Sequence, residues 1–224
     1  MSFETALRLI EIGVSLAIIQ RAAEHFNSER LLFAPSLVLA VLLLAGVFAG
    51  PLIWGLWGLA VMQLARFNGP YNGGSDKMTL LILSCLSLVY LSPSQFWADM
   101  ALSYLAVQLV LSYFVSGWVK IRNSEWRSGQ ALVDVFELSV YPVSENLTTL
   151  SRHAPLLLTA SWSVILFEVA FPLSLMHPIL LGAALCAAAV FHVSNAVCFG
   201  LNRFVWAWIS AFPALIWFQD RMFG

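Results

Sequence analysis

The sequence predicts an all-α, polytopic integral membrane bundle, and three observations predict it. Of 224 residues, 60% are hydrophobic and only 10% are charged, with a mean hydropathy of +0.84. Soluble domains carry about a quarter charged residues, so this chain cannot cover itself with polar surface and its solvent is lipid. Long apolar runs follow one another along the chain, close to the roughly 20 residues that cross a bilayer as a helix. Between two of them lies a stretch whose apolar residues recur on one side, the pattern of a helix lying on a membrane surface. The net charge of -1 and the lack of any nucleic-acid motif give no sign of a nucleic-acid partner.

Eight segments are candidates for spans: 5–20, 32–49, 52–65, 78–92, 99–119, 155–175, 178–200 and 203–219. In the first, Arg8 and Glu11 lie one helical turn apart and can pair, so the segment either spans or lies in the interface. Segments 32–49 and 52–65 are divided only by Gly50-Pro51, which reads as a tight hairpin or as a kink in one long tilted helix. Seven to eight spans are therefore expected, within a single transmembrane domain over 1–224. The long stretch outside lipid is 120–154. Within it, 126–140 sets Trp126, Leu132, Val133, Phe136 and Val140 on one side and Arg127, Asp134 and Glu137 elsewhere, as one amphipathic interfacial helix.

The N-terminus carries Glu4, Arg8 and Glu11 where a secretory signal would have a clean apolar stretch, so it is expected to be retained. Cys85, Cys186 and Cys198 all fall in apolar runs and read as small buried hydrophobes, neither a disulfide framework nor a zinc site. Loops numbered through eight spans put Arg21, Arg30, Arg66, Lys77, Lys120, Arg122, Arg127, Arg152 and Arg203 on one side and only Arg8 and Arg221 on the other. Basic loops stay cytoplasmic, so the richer side is expected there and the sequon Asn146-Leu147-Thr148 goes unused.

Polar groups deep in lipid are either paired for structure or functional. His192, Asn195, Asn202 and Trp206 follow at steps of three, seven and four, so a continuous helix would present them on one face. They serve either as hydrogen-bonding glue between helices or as a site. Glu168 reads as the carboxylate well inside a span, again a site or a structural partner. Lys120 closes the fifth segment, where a lysine either snorkels to the headgroups or, crowded by Gly117, Trp118 and Trp126, works as a neutral base. In "NGPYNGGSDKM", Asn68 to Met78, Ser75 or Asp76 is a natural helix cap, and the glycines can expose successive amides to an anion. The competing reading is a plain capping turn. No metal-ligand cluster, P-loop, nucleotide fingerprint or Ser-His-Asp order is present.

Three stretches carry a family resemblance: "YNGGSDKMTLLIL", "SGWVKIRNSEWRSGQAL" and "FHVSNAVCFGLNRFVWAWISAFP". In order and approximate spacing they resemble the membrane part of vitamin K-dependent gamma-glutamyl carboxylase. They are more similar still to its bacterial relatives, the horizontally transferred transmembrane domain family, over about residues 30 to 217. The resemblance implies that Lys120, which precedes Glu125-Trp126, is the base that starts quinone chemistry, with one residue's difference in spacing. It also matches His192 and Asn195 to the family's histidine and asparagine. This chain reads Gly74 where the carboxylase has a histidine, and it does not contain the large soluble part that holds the peptide substrate. The implied feature is thus a quinone-sized pocket between Lys120, the 68–78 turn and His192.

These readings predict an integral protein of a bacterial inner membrane that binds or acts on a quinone or another lipid-soluble substrate. Lys120 and His192 are the expected catalytic residues. Asn72, Gly73, Gly74, Asp76, Trp126, Glu168, Asn195 and Asn202 are the expected substrate contacts. The partners are the lipid bilayer and other membrane proteins, and no cofactor beyond a quinone is implied. Two other roles fit the same residues: a non-catalytic subunit of a larger membrane complex, or an accessory protein for peptide maturation or export.

Overall fold

A computed structural model describes residues 1–66, 73–138 and 149–224. Among these every regular element is helical: α1 (Phe3–His25), α2 (Arg30–Leu44), α3 (Ala49–Arg66), α4 (Gly73–Leu91), α5 (Gln95–Arg122), α6 (Ser124–Ser128), α7 (Gln130–Leu138), α8 (Ala154–Ala170), α9 (Pro178–Phe199), α10 (Asn202–Ile209) and α11 (Phe212–Phe223), with 3₁₀ turns at Thr149–Arg152 and Phe171–Met176. They gather into two compact units, Met1–Val107 with Arg203–Gly224, and Gln108–Asn202.

In the first unit, the Ser2 hydroxyl caps α1 by accepting from the Thr5 amide. The expected Arg8–Glu11 pair forms at 3.0 Å, and the same guanidinium donates to the carbonyls of Leu43 and Leu44 at 2.9 and 2.6 Å. Those carbonyls lie in the last turn of α2, where a cation also complements the helix dipole. The chain then turns through Gly46 and Phe48, at φ 79° and 44°, before α3 begins. The 32–65 stretch is therefore a hairpin, and its turn precedes Gly50-Pro51, which sits in the first turn of α3 where proline is tolerated. Gln63 ties α3 to α2 through Ser36 and the Leu32 carbonyl. The core is aliphatic, with Ile10, Val14, Leu43, Ile53, Ile82 and Leu102 fully buried.

In the second unit, α8 runs into the 3₁₀ turn at Phe171–Met176, where Pro172 withholds an amide from the α-helical ladder. His177 then caps α9 by accepting from the Ile179 amide at 3.2 Å. Leu156, Leu158, Leu166, Leu180, Val190 and Val197 are exposed along α8 and α9, as lipid-facing helices require.

Four helical stretches are long and apolar enough to cross a membrane: Gly74–Leu91, Gln95–Arg122, Ala154–Met176 and Pro178–Phe199. The chain is an integral membrane protein, but length and apolarity among the described residues do not yield seven to eight spans. α1 carries too many charges, α2 has only 15 residues, and the expected 203–219 segment is broken into α10 and α11, of 8 and 12 residues.

Two further expectations are corrected. The face joining His192 to Trp206 does not exist, because α9 ends at Phe199. Gly200, left-handed at φ 68°, closes the helix: its amide donates to the Ala196 carbonyl and the following Leu201 amide to that of Asn195. His192 and Asn195 share a face; Asn202 and Trp206 belong to α10. The interfacial helix over 126–140 is likewise two pieces, α6 and α7, separated by left-handed Gly129 at φ 80°. Phe136 is buried and α7 packs on α8. Val140 lies outside the described residues, as do Asn72 and the Asn146 sequon.

Candidate functional site

Tyr113, Ser116, Gly117 and Lys120 are spaced to form one stripe along α5. Across from it on α8 stands Glu168. The Lys120 ammonium lies 2.7 and 2.9 Å from the two Glu168 oxygens and 2.6 Å from the Ser116 hydroxyl, which itself donates to Glu168 at 3.2 Å. An ammonium has three protons, and all three have acceptors here. The side chains are 13% and 3% exposed, so this is a desolvated ion pair held by excellent geometry, the condition for such a pair to persist.

Gly117 makes the pair possible. A Cβ on it would lie 2.7 Å from both the Glu168 Cβ and the Val169 nitrogen, so any larger residue would hold α5 and α8 apart. Close helix approach at a small residue is the usual solution in lipid.

Trp126 stands beside the pair, with the Lys120 nitrogen 5.1 Å from its ring centroid. Its position is fixed from α8. Ser161 donates to the Trp126 carbonyl, and the Trp162 indole donates to the Arg127 carbonyl at 3.1 Å. Gly129 completes the joint, since a Cβ there would meet the Leu158 backbone at 2.9 Å.

Beside the pair opens a cavity of about 490 Å³. Its wall is mostly aliphatic and aromatic, with Leu132, Phe136, Leu157, Val164, Phe191 and Phe199 among the lining residues. Lys120, Ser194, Asn195 and Cys198 interrupt it. A small number of polar groups on an apolar wall is the usual composition of a small-molecule site. Glu168 does not line the cavity; it stands behind Lys120.

His192 does not line it either. Its Nε2 is 2.8 Å from the Tyr113 hydroxyl, and Tyr113 stacks on Phe171 with centroids 4.2 Å apart. The second unit thus brings Lys120, Trp126 and Asn195 to one cavity, with Glu168 behind Lys120 and His192 one helical turn from Asn195. Asn202 is exposed beyond the end of α9.

Gly73, Gly74 and Asp76 belong to the first unit. α4 begins at Gly73, so Ser75 and Asp76 lie inside its first turn and neither caps it. Asp76 is committed to two arginines, 3.3 Å from Arg21 and 3.5 Å from Arg203, while Arg203 also meets Glu24 at 3.2 Å. Burial lowers the pKa of Arg21 from its ordinary value; Asp76 opposes that shift and Arg203 adds to it. At Gly74, a Cβ would lie 2.9 Å from Phe204, whose ring stacks on Trp208 at 4.9 Å. Aromatic packing closes the space a side chain would need at that position.

Sequence reasoning passed over Tyr113 and Ser116, although their steps of seven and four from Lys120 put them on its face. It also missed Asp99, a buried carboxylate that meets Arg221, and the contact of Tyr90 with Glu11, whose pairing with Arg8 was expected. The model of the HTTM domain matches residues 91–220, more than half of the chain. No curated protein and no solved structure matches it.

Proposed function

We propose, on the premise that the chain belongs to the HTTM domain family, the membrane domains related to vitamin K-dependent gamma-glutamyl carboxylase, that its second unit binds and acts on a quinone or another lipid-soluble substrate. The observation that carries this reading is an apolar cavity of about 490 Å³ with a buried lysine in its wall. Lys120 is the group that takes a proton from the bound molecule. Asn195, half-buried in the same wall, offers an amide to the oxygen on which charge develops. Trp126 shields the amine from water, and His192 supports the site through Tyr113. The membrane is a bacterial inner membrane in this reading, as the resemblance to bacterial relatives suggests. Asp76, with its arginine partners, takes no part in it.

Cys198 gives a direct test, because its thiol lines the cavity while Cys186 is exposed elsewhere. In a Cys186→Ser protein purified in detergent, decylubiquinone is expected to slow the modification of Cys198 by N-ethylmaleimide. Slowing should saturate with concentration, and decane at equal concentration should not reproduce it. Unchanged labelling at saturating decylubiquinone would remove the quinone reading. The role as a subunit of a larger membrane complex would then be the one to pursue.

A further inference from the structure

The Lys120–Glu168 pair presents a chemical problem that its own geometry answers. A base must offer a lone pair, yet every proton of the Lys120 ammonium is engaged and its lone pair does not exist while all three remain. Release of that proton to water is restricted, since the Lys120 side chain is 13% exposed, Glu168 is 3% exposed and the Trp126 ring lies 5.1 Å from the amine. Of its two partners Ser116 is a neutral hydroxyl, so the group that can take the proton is Glu168, 2.7 Å away and outside the cavity lining.

We infer that Glu168 is the proton store for Lys120, the pair converting between ammonium–carboxylate and amine–carboxylic acid without exchanging a proton with solvent. The inference rests on the reading of Lys120 as base. In the forward step an N–H bond of Lys120 breaks and an O–H bond forms on Glu168. The net charge stays at zero, and two desolvated charges are removed together. The neutral amine faces the cavity and can accept a proton from a bound molecule. Lys120 is then an ammonium again, and Glu168 remains protonated until Lys120 gives a proton to the product and is re-protonated by Glu168, which restores the ammonium–carboxylate pair. Glu168 touches no substrate and acts through Lys120, as a positioning residue.

The groups facing the pair permit this closed exchange. From α5 they are Ser116 and, a turn further, Tyr113 with its partner His192. From α9 they are Asn195 and Cys198, and from α6 the indole of Trp126. Glu125 and Arg127 on α6 and Glu137 on α7 are exposed, and Asp134 is hydrogen-bonded to Gln130. Among the described residues no other carboxylate hydrogen-bonds to Lys120.

A solvent-titrated amine gains reactivity about tenfold per pH unit below its pKa. In a coupled pair that shares one proton, the neutral-amine fraction is set internally and does not vary with pH between the two macroscopic steps. The chain has two lysines, and the other, Lys77, is exposed and serves as an internal standard. The probe is 1-fluoro-2,4-dinitrobenzene, an apolar aryl fluoride that reacts with neutral amines. It is applied to Cys198→Ser protein and read site by site by mass spectrometry between about pH 6.5 and 8.5. Arylation of Lys120 should change by less than about twofold while that of Lys77 rises about a hundredfold. Glu168→Gln should give Lys120 a rising profile, and Ser116→Ala, which leaves the carboxylate in place, should keep it flat. A wild-type Lys120 that follows Lys77, that stays unmodified at every pH, or that is equally flat in Glu168→Gln overturns the inference. Decylubiquinone protection of Cys198 is read separately, so loss of the substrate reading is distinguishable from loss of this one.

Discussion

At the scale of single residues, the sequence marked Lys120 and Glu168 as costly groups in lipid but could not show that they meet. They are 48 positions apart, and no local pattern encodes a contact between two helices that distant in the chain. Each was legible with two readings; the structure pairs the two, with the Lys120 nitrogen turned inward to Glu168. Asp76 went the other way. Its place after a glycine run suggested a binding turn, whereas two arginines absorb its charge. The decisive substitution is Lys120→Arg. A guanidinium can pair with Glu168 through its fork and keep the helices together, but it never becomes a neutral base in a protein. The expected variant inserts, binds decylubiquinone in the Cys198 protection measurement and has lost its activity in a host complementation assay. Full complementation by Lys120→Arg would show that the lysine is an anchor.

At the scale of elements, apolar runs located the helices well, because a bilayer-length run has few alternatives. Their interruptions were harder to read. Gly129 and Gly200 both take left-handed backbone and end helices, yet membrane helices also carry glycine in mid-span, so neither announces a break by its identity alone. Trp126 and Phe136 were correctly placed on an apolar side, but the Gly129 joint turns that side toward α8 and makes it a cavity wall. The tightest element contact is at Gly117. Gly117→Ala should cost about 1–3 kcal/mol, the usual penalty for overpacking a close contact. The measurement is thermal unfolding in detergent, compared with Gly182→Ala in α9, where a Cβ would meet nothing within 4 Å. Equal melting temperatures for the two variants would show that α5 and α8 have room to spare at the pair.

At the scale of the whole molecule, composition alone established a lipid solvent, and the helices agree with it. The number of crossings was less legible, because charge-bearing α1 and the split α10–α11 stretch have apolar content without the length or cleanness of a span. The orientation expected from the nine-to-two division of basic residues, with loops numbered through eight spans, is open to test. With all native cysteines replaced, a cysteine at exposed Ser128 should resist a membrane-impermeant maleimide in intact cells and react after permeabilisation. Prompt labelling in intact cells would reverse the assignment.

The contact at Gly117 also yields a diagnostic for relatives that need not share much else. A chain may keep a lysine at the end of the corresponding helix and a carboxylate on its neighbour, and by a charge-based comparison it would be grouped with this protein. If it bears a branched or aromatic residue three positions before the lysine, the two helices cannot close to the distance at which the charges pair. Such a chain should have exchanged its acid and base for another chemistry, or have none. The informative character for sorting the family is therefore a missing side chain, the kind of signal that searches for reactive residues pass over.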